Sequence, residues 1–246
     1  MANWQDPQTT GVSAATVGVP RAARDAGLRS YMLSVYNYMA SGVLLTGIIA
    51  LLFAPYAGDV LLSQSGRGMS ALGWIVTLSP LGIVFAMSFG AQRMRTGTLQ
   101  LLFWAFASLM GLSMSTLFLV YTGTSIAQTF FATAAAYMGL SLYGYTTKRD
   151  LSGFGTFLIM GVVGILVAMV INMFLQSSAM ALAISAIGVL LFAGLTAYDT
   201  QRIKSMYAYV QGTEMAGKTV IMGALTLYLD FINMFQFLVS FMGDRR

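Results

Sequence analysis

Residues 218–242 read KTVIMGALTLYLDFINMFQFLVSFM, and the reading of this stretch decides the fold. A helix that crosses the hydrocarbon layer of a bilayer needs about 20 predominantly apolar residues. The stretch is long enough, and after Lys218 its only charge is Asp230, in the middle. An acidic residue at the centre of a membrane helix costs about 2.5–3.5 kcal/mol on insertion scales. Whether the stretch spans the membrane or folds back therefore depends on what compensates Asp230, and the answer sets the parity of the whole topology.

Six further runs meet the length requirement, at residues 31–54, 71–90, 98–120, 125–146, 153–175 and 179–202. The first connection carries the turn residues Pro55, Gly58, Gly66 and Gly68. The third and fifth connections are so short that they impose tight antiparallel hairpins. With 218–242 counted there are seven spans, and the charges agree. With the N-terminus inside, the cytoplasmic segments hold Arg21, Arg24, Arg29, Arg93, Arg95, Lys148, Arg149, Arg202, Lys204 and Lys218, against Arg67, Arg245 and Arg246 on the far side. This ten-to-three bias obeys the positive-inside rule, which an even number of spans would break. The expected fold is an all-α membrane protein with seven transmembrane helices over residues 31–243. A flexible cytoplasmic tail over 1–30 precedes it, and the C-terminus lies outside. The run at 31–54 exceeds the roughly 7–15 residues of a signal-peptide core and reads as an uncleaved first span.

Composition agrees. Of 246 residues, 57% are hydrophobic and 9% charged, where soluble domains carry about 25% charged residues. The net charge of +5 is accounted for by loop residues that orient the chain, so nucleic acid is not an expected partner. Small residues spaced by four, Gly82 with Ala86 and Gly90, Gly111 with Ser115, and Gly164 with Ala168, are expected to let helices approach closely.

The chain has no Cys and no His. That excludes disulfides, thiol nucleophiles, Ser-His catalysis and the imidazole pH switch, leaving carboxylates and Lys for any proton chemistry. Six of the eight acidic residues fall in tails or loops, and Asp150 is placed to cap the helix that follows it. Asp199 and Asp230 alone lie within spans, on consecutive antiparallel helices. Asp230 sits about twelve residues into its helix, so the two become level if the sixth helix continues towards Tyr207. Two carboxyls in contact cannot both ionise cheaply and titrate as a coupled unit. The structural reading is a clasp that shares a proton. The functional reading is a site where a proton or passing cation changes the state of the bundle. Arg202 and Lys204 are placed to pair with Asp199, and Asn233 to donate to Asp230.

The stretch Ala197-Tyr198-Asp199-Thr200-Gln201-Arg202-Ile203-Lys204, the stretch Leu227-Tyr228-Leu229-Asp230-Phe231-Ile232-Asn233-Met234-Phe235 and the connection Tyr145-Thr146-Thr147-Lys148-Arg149-Asp150-Leu151-Ser152 resemble the Bax inhibitor-1 family, in its bacterial YccA-like branch, across roughly residues 30–243. The resemblance implies a last helix that is central and surrounded by the other six, in a bacterial cytoplasmic (inner) membrane. It also implies a pH-sensitive cation leak, chiefly of Ca²⁺, with Asp199 and Asp230 at the gating positions and as transient cation ligands. Arg93 and Arg95 lie near a basic position that the family places at the cytoplasmic mouth. One departure is visible. Some calcium-leak members carry a Glu in the second helix, where this chain has Thr77-Leu78-Ser79-Pro80-Leu81-Gly82. The pathway then offers fewer hard oxygen ligands than Ca²⁺ prefers.

Two further functions were weighed. One is a regulatory protein, without transport, that binds a membrane-anchored ATP-dependent protease, as bacterial relatives are associated with doing. The other is an intramembrane aspartyl protease: Tyr198-Asp199 matches half of that signature, but Leu227-Tyr228-Leu229-Asp230 lacks the required Gly-x-Gly-Asp. The chain is read as no enzyme, with no resident cofactor, as a monomer or weak oligomer in the lipid bilayer.

Overall fold

The computed structural model describes residues 21–63 and 68–246, with side chains from residue 25 onward. Eight helices account for most of it: α1 (Arg21–Leu61), α2 (Ala71–Gly90), α3 (Thr96–Met114), α4 (Leu117–Val120), α5 (Gly123–Thr146), α6 (Ser152–Leu175), α7 (Ser178–Val210) and α8 (Met215–Met242). Among the described residues, β structure is limited to isolated bridges, Leu62 with Met69 and Tyr121 with Arg245.

Two helices run past their expected ends. α1 runs from Arg21 to Leu61, past the expected 31–54 at both ends, so residues 21–30 of the expected flexible tail and the expected turn residues Pro55 and Gly58 lie within a helix. The rest of that expected tail, 1–20, lies outside the described residues. Ala, Arg and Leu dominate 21–28 and favour helix without any membrane. α7 continues eight residues beyond 202, to Val210. The two extensions support each other, with the Tyr31 and Tyr207 rings 5.3 Å apart. Gly27 leaves room for the Tyr207 hydroxyl. Conversely, the expected helix 98–120 is interrupted after Met114. Ser115 Oγ donates to the Leu112 carbonyl at 2.6 Å and Thr116 Oγ1 to the Ser113 carbonyl at 2.8 Å, competing with the helical ladder.

Packing is organised on α8, which lies against α7, α1, α5 and α3. Two-thirds of its apolar segment, 67%, is buried, against 11% for α6, which packs on α7 and turns Phe157, Met160, Val163 and Phe174 outward. Tyr228 of α8 is wholly enclosed between α1 and α3. Its hydroxyl is 2.6 Å from Thr46 Oγ1, and Phe103 and Phe106 meet its ring edge to face. Gly42 of α1 makes this possible, since a Cβ there would stand 2.7 Å from Phe103 Cζ.

Among the described residues six helical stretches are long and apolar enough to cross a membrane: Asp25–Leu61, Ala71–Gly90, Thr96–Val120, Ser152–Leu175, Ser178–Val210 and Met215–Met242. α5 has the length but not the composition. Its buried face is a row at helical spacing, Ser125, Thr129, Thr133, Tyr137, Ser141 and Gly144, turned towards α7 and α8. Five of the hydroxyls that lower its hydropathy, from Ser125 to Ser141, are buried; Thr133 Oγ1, for example, donates to the Thr129 carbonyl of its own helix.

Contacts also sort the connections between two ends of the bundle. At one end Lys218 donates to the Gln92 carbonyl (2.9 Å) and Gln201 to the Arg149 carbonyl (2.8 Å), joining the α2–α3, α5–α6 and α7–α8 regions. At the other, the C-terminal residues close onto the start of α5: Thr122 N–H donates to the Asp244 carbonyl (3.1 Å) and Asp244 N–H to Ser125 Oγ (2.9 Å).

Candidate functional site

Asp199 comes from α7 and Asp230 from α8, the most closely packed pair of helices. The extension of α7 makes them level. Asp199 lies eleven residues before the end of α7 and Asp230 fifteen after the start of α8, about 16 and 22 Å at 1.5 Å per residue. The two carboxyls are neighbours, close enough to share a hydrogen bond, and almost fully enclosed, 7% and 4% exposed. A hydrogen bond between two carboxyls needs a proton on one of them. The second Asp230 oxygen, Oδ2, is buried with no hydrogen-bond partner, as is the Tyr137 hydroxyl of α5. Among the described residues no third acidic side chain joins the pair.

A row of hydroxyls that sequence reasoning missed runs beside the pair. Tyr36 of α1 contacts Ser141 Oγ of α5 at 2.6 Å, and Ser141 contacts Thr200 Oγ1 of α7, next to Asp199, at 3.0 Å. The four-residue spacing from Ser125 to Ser141 was the available signal, because a hydroxyl row on one face of an apolar helix has to be turned inward.

Of the expected supporting residues, Arg202 is exposed on α7, three residues beyond Asp199. Lys204 does not pair with Asp199. Its Nζ donates to the Tyr145 carbonyl at 2.6 Å and lies 4.8 Å from the centre of the Tyr145 ring, serving the unsatisfied C-terminal carbonyls of α5. Asn233 does not donate to Asp230 either. Its Nδ2 bonds the Leu229 carbonyl of its own helix at 2.8 Å, one turn back. Arg93 and Arg95 are exposed on the α2–α3 connection. Asp150 caps α6 as expected, accepting from the Ser152 N–H at 2.9 Å. Hydrogen bonds from the Ser152 side chain and backbone hold its carboxyl below the usual value.

The three stretches that carry the family resemblance converge. Gln201 accepts from the Leu151 N–H (2.9 Å) and donates to the Arg149 carbonyl, so the residue two beyond Asp199 fastens the α5–α6 connection. Gln201→Ala removes both bonds. The expected cost is about 1–2 kcal/mol, read as a lower Tm in detergent and faster tryptic cleavage after Arg149.

A bundle whose described residues include six helices long and apolar enough to cross a membrane is that of a multi-pass integral membrane protein. Comparison with known proteins places it more narrowly. The model of the family described as inhibitor of apoptosis-promoting Bax1 matches residues 28–246, and the chain belongs to this Bax inhibitor family. Relatives include the Rickettsia prowazekii protein named Uncharacterized protein RP147, 48% identical over 90% of this chain and 92% of the relative. A Caulobacter vibrioides protein is 47% identical over 90% and 91%. The Inner membrane protein YbhL of Escherichia coli is 44% identical over 90% and 94%.

Proposed function

We propose that the protein is a pH-sensitive leak pathway for cations, Ca²⁺ among them, in a bacterial inner membrane, with Asp199 and Asp230 as its gate. The observation that carries this reading is the buried carboxyl contact with one oxygen left unpartnered. A second feature supports it. A cavity of about 700 Å³ between α6, α7 and α8 is lined by Asn233, Gln236 and Ser240, which continue along α8 the face begun by Asp230. Polar side chains on one face of a membrane helix mark ion and proton routes. The α2 segment without Glu packs chiefly on α3 and α1, away from this face. In this reading the pair carries no catalytic step and no resident cofactor.

The arrangement proposed with it has seven spans, α5 included, with α8 in the middle of the others, the N-terminus in the cytoplasm and the C-terminus outside. The clustering of Arg93, Arg95, Lys148, Arg149, Arg202 and Lys218 around one end of the bundle supports it, with the C-terminal residues held at the other. A reporter active only in the cytoplasm, fused to Arg246, is expected to give no signal; a strong signal would mean that one span is re-entrant.

Purified protein in liposomes loaded with a Ca²⁺-sensitive dye tests the function. Influx above that of protein-free vesicles is expected. Absence of flux for Ca²⁺, Na⁺ and K⁺ alike would overturn the reading in favour of a regulatory role towards a membrane-anchored protease.

A further inference from the structure

α1 and α5 both pack on α8 and touch each other where Tyr36 meets Ser141, without packing along their lengths. Between them runs a cleft, floored by Phe231 and Phe235 of α8. A cavity of about 790 Å³ occupies one half, and a second of about 310 Å³ continues it, sharing Val43, Leu44 and Phe130. The α1 wall extends from Arg29 to Leu51, about 33 Å at 1.5 Å per residue, close to the roughly 30 Å of a bilayer's hydrocarbon core. Leu33, Leu44, Met138 and Leu142 are half exposed or more along its rim, so it opens sideways.

A sideways-open apolar cleft at that depth is filled by hydrocarbon, because water has no partners there. Its chemistry changes at one end only. Among the described residues Arg29 is the charged one that lines it, and no carboxylate does. Tyr145 lines the same half, with the Lys204 ammonium resting on its carbonyl and ring. Two cations at the mouth favour a phosphate and disfavour a headgroup that brings its own ammonium. We propose that the α1–α5 cleft binds one phospholipid with an anionic headgroup, its acyl chain lying between the helices and its phosphate at Arg29. The chain would lie against Tyr36 and Ser141, so occupancy bears on the hydroxyl row beside Asp199. The proposal rests on membrane residence alone and stands whether or not the protein conducts.

Native mass spectrometry of the full chain in detergent tests it, with phosphatidylglycerol and phosphatidylcholine of matched acyl chains added in turn. Phosphatidylglycerol is expected to be retained about fivefold better, the factor one basic residue contributes towards an anionic lipid. Arg29→Gln should bring the two lipids level. Ala134→Phe, which fills the cleft from the α5 side, should remove most retention of both, and Ala40→Phe does the same from α1 should the first variant fail to fold. Equal retention of the two lipids by the wild type would overturn the proposal. So would a headgroup preference unchanged in Arg29→Gln, or wild-type retention in a folded cleft-filling variant.

Discussion

Replacing both residues of the proposed gate, Asp199→Asn with Asp230→Asn, is expected to leave cation flux in liposomes nearly independent of pH. The two side chains keep their shape and their mutual hydrogen bond, and lose the proton whose release would separate them. In the wild type the contact needs one proton shared between the carboxyls. Removing it places two negative charges side by side, a repulsion of roughly 4 kcal/mol at 4 Å and an effective dielectric of 20. Moving a two-state equilibrium from 1:99 to 99:1 takes about 5.5 kcal/mol, so this repulsion supplies much of a gating change. The sign follows from proton counting. The closed state holds one more proton than the open one, so stability of the closed state is fully present at low pH and is lost as pH rises through the titration of the pair. Flux should therefore increase with pH, by at most about tenfold per unit for one proton. Flux that persists in the double variant with the wild-type pH profile would place the sensor elsewhere.

The second large effect is structural. Gly144→Val should destabilise the protein by about 3 kcal/mol or more, read as a lower Tm in detergent and loss of monodisperse material on gel filtration. A Cβ at Gly144 would run into the Ala197 carbonyl and its neighbouring backbone atoms, which cannot rotate away as a side chain would. The variant forces α5 off α7 and opens the 3.0 Å contact between Ser141 and Thr200. Gly164→Ala is the control. Nothing lies within 4 Å of a Cβ there, and Tm should be unchanged or slightly higher.

That pair of glycines shows what the sequence can and cannot say. Gly164 with Ala168, and Gly82 with Ala86 and Gly90, have the spacing of a close helix crossing. Yet Gly82 and Gly164 face open space, and Gly90 faces only the Met94 side chain. Gly111 does mark a crossing, against the Thr46 carbonyl of α1 at 2.8 Å. Gly144 belongs to no such pattern and makes the tightest approach of α5 to α7, because what decides it is a carbonyl 53 positions away along the chain. Boundaries of α2, α6 and α8 were legible within about three residues, since abrupt polar connections end them. The end of α7 was not, because residues 203–210 include Lys204 and stop qualifying as membrane interior while still forming a good helix. Asp199 and Asp230 stood out as the only acids within the expected spans, whereas Asp25 and Asp59, expected in the tail and the first connection, lie in α1. Asn233 misled because an amide in an apolar helix can satisfy itself on the carbonyl one turn back.

The hydroxyl row of α5 has a consequence for how the chain is made. In the seven-span arrangement proposed above, α5 leaves the ribosome before α7 and α8, the helices against which its Ser and Thr residues are buried. An insertion machinery that judges each emerging segment by its partition into lipid finds little reason to release this one sideways. α6, the most lipid-exposed of the candidate spans, follows after five residues and is well suited to draw α5 in as a hairpin. Biogenesis would then commit α5 only once later sequence has appeared, and nascent chains truncated between α5 and α6 should leave it accessible from the aqueous side.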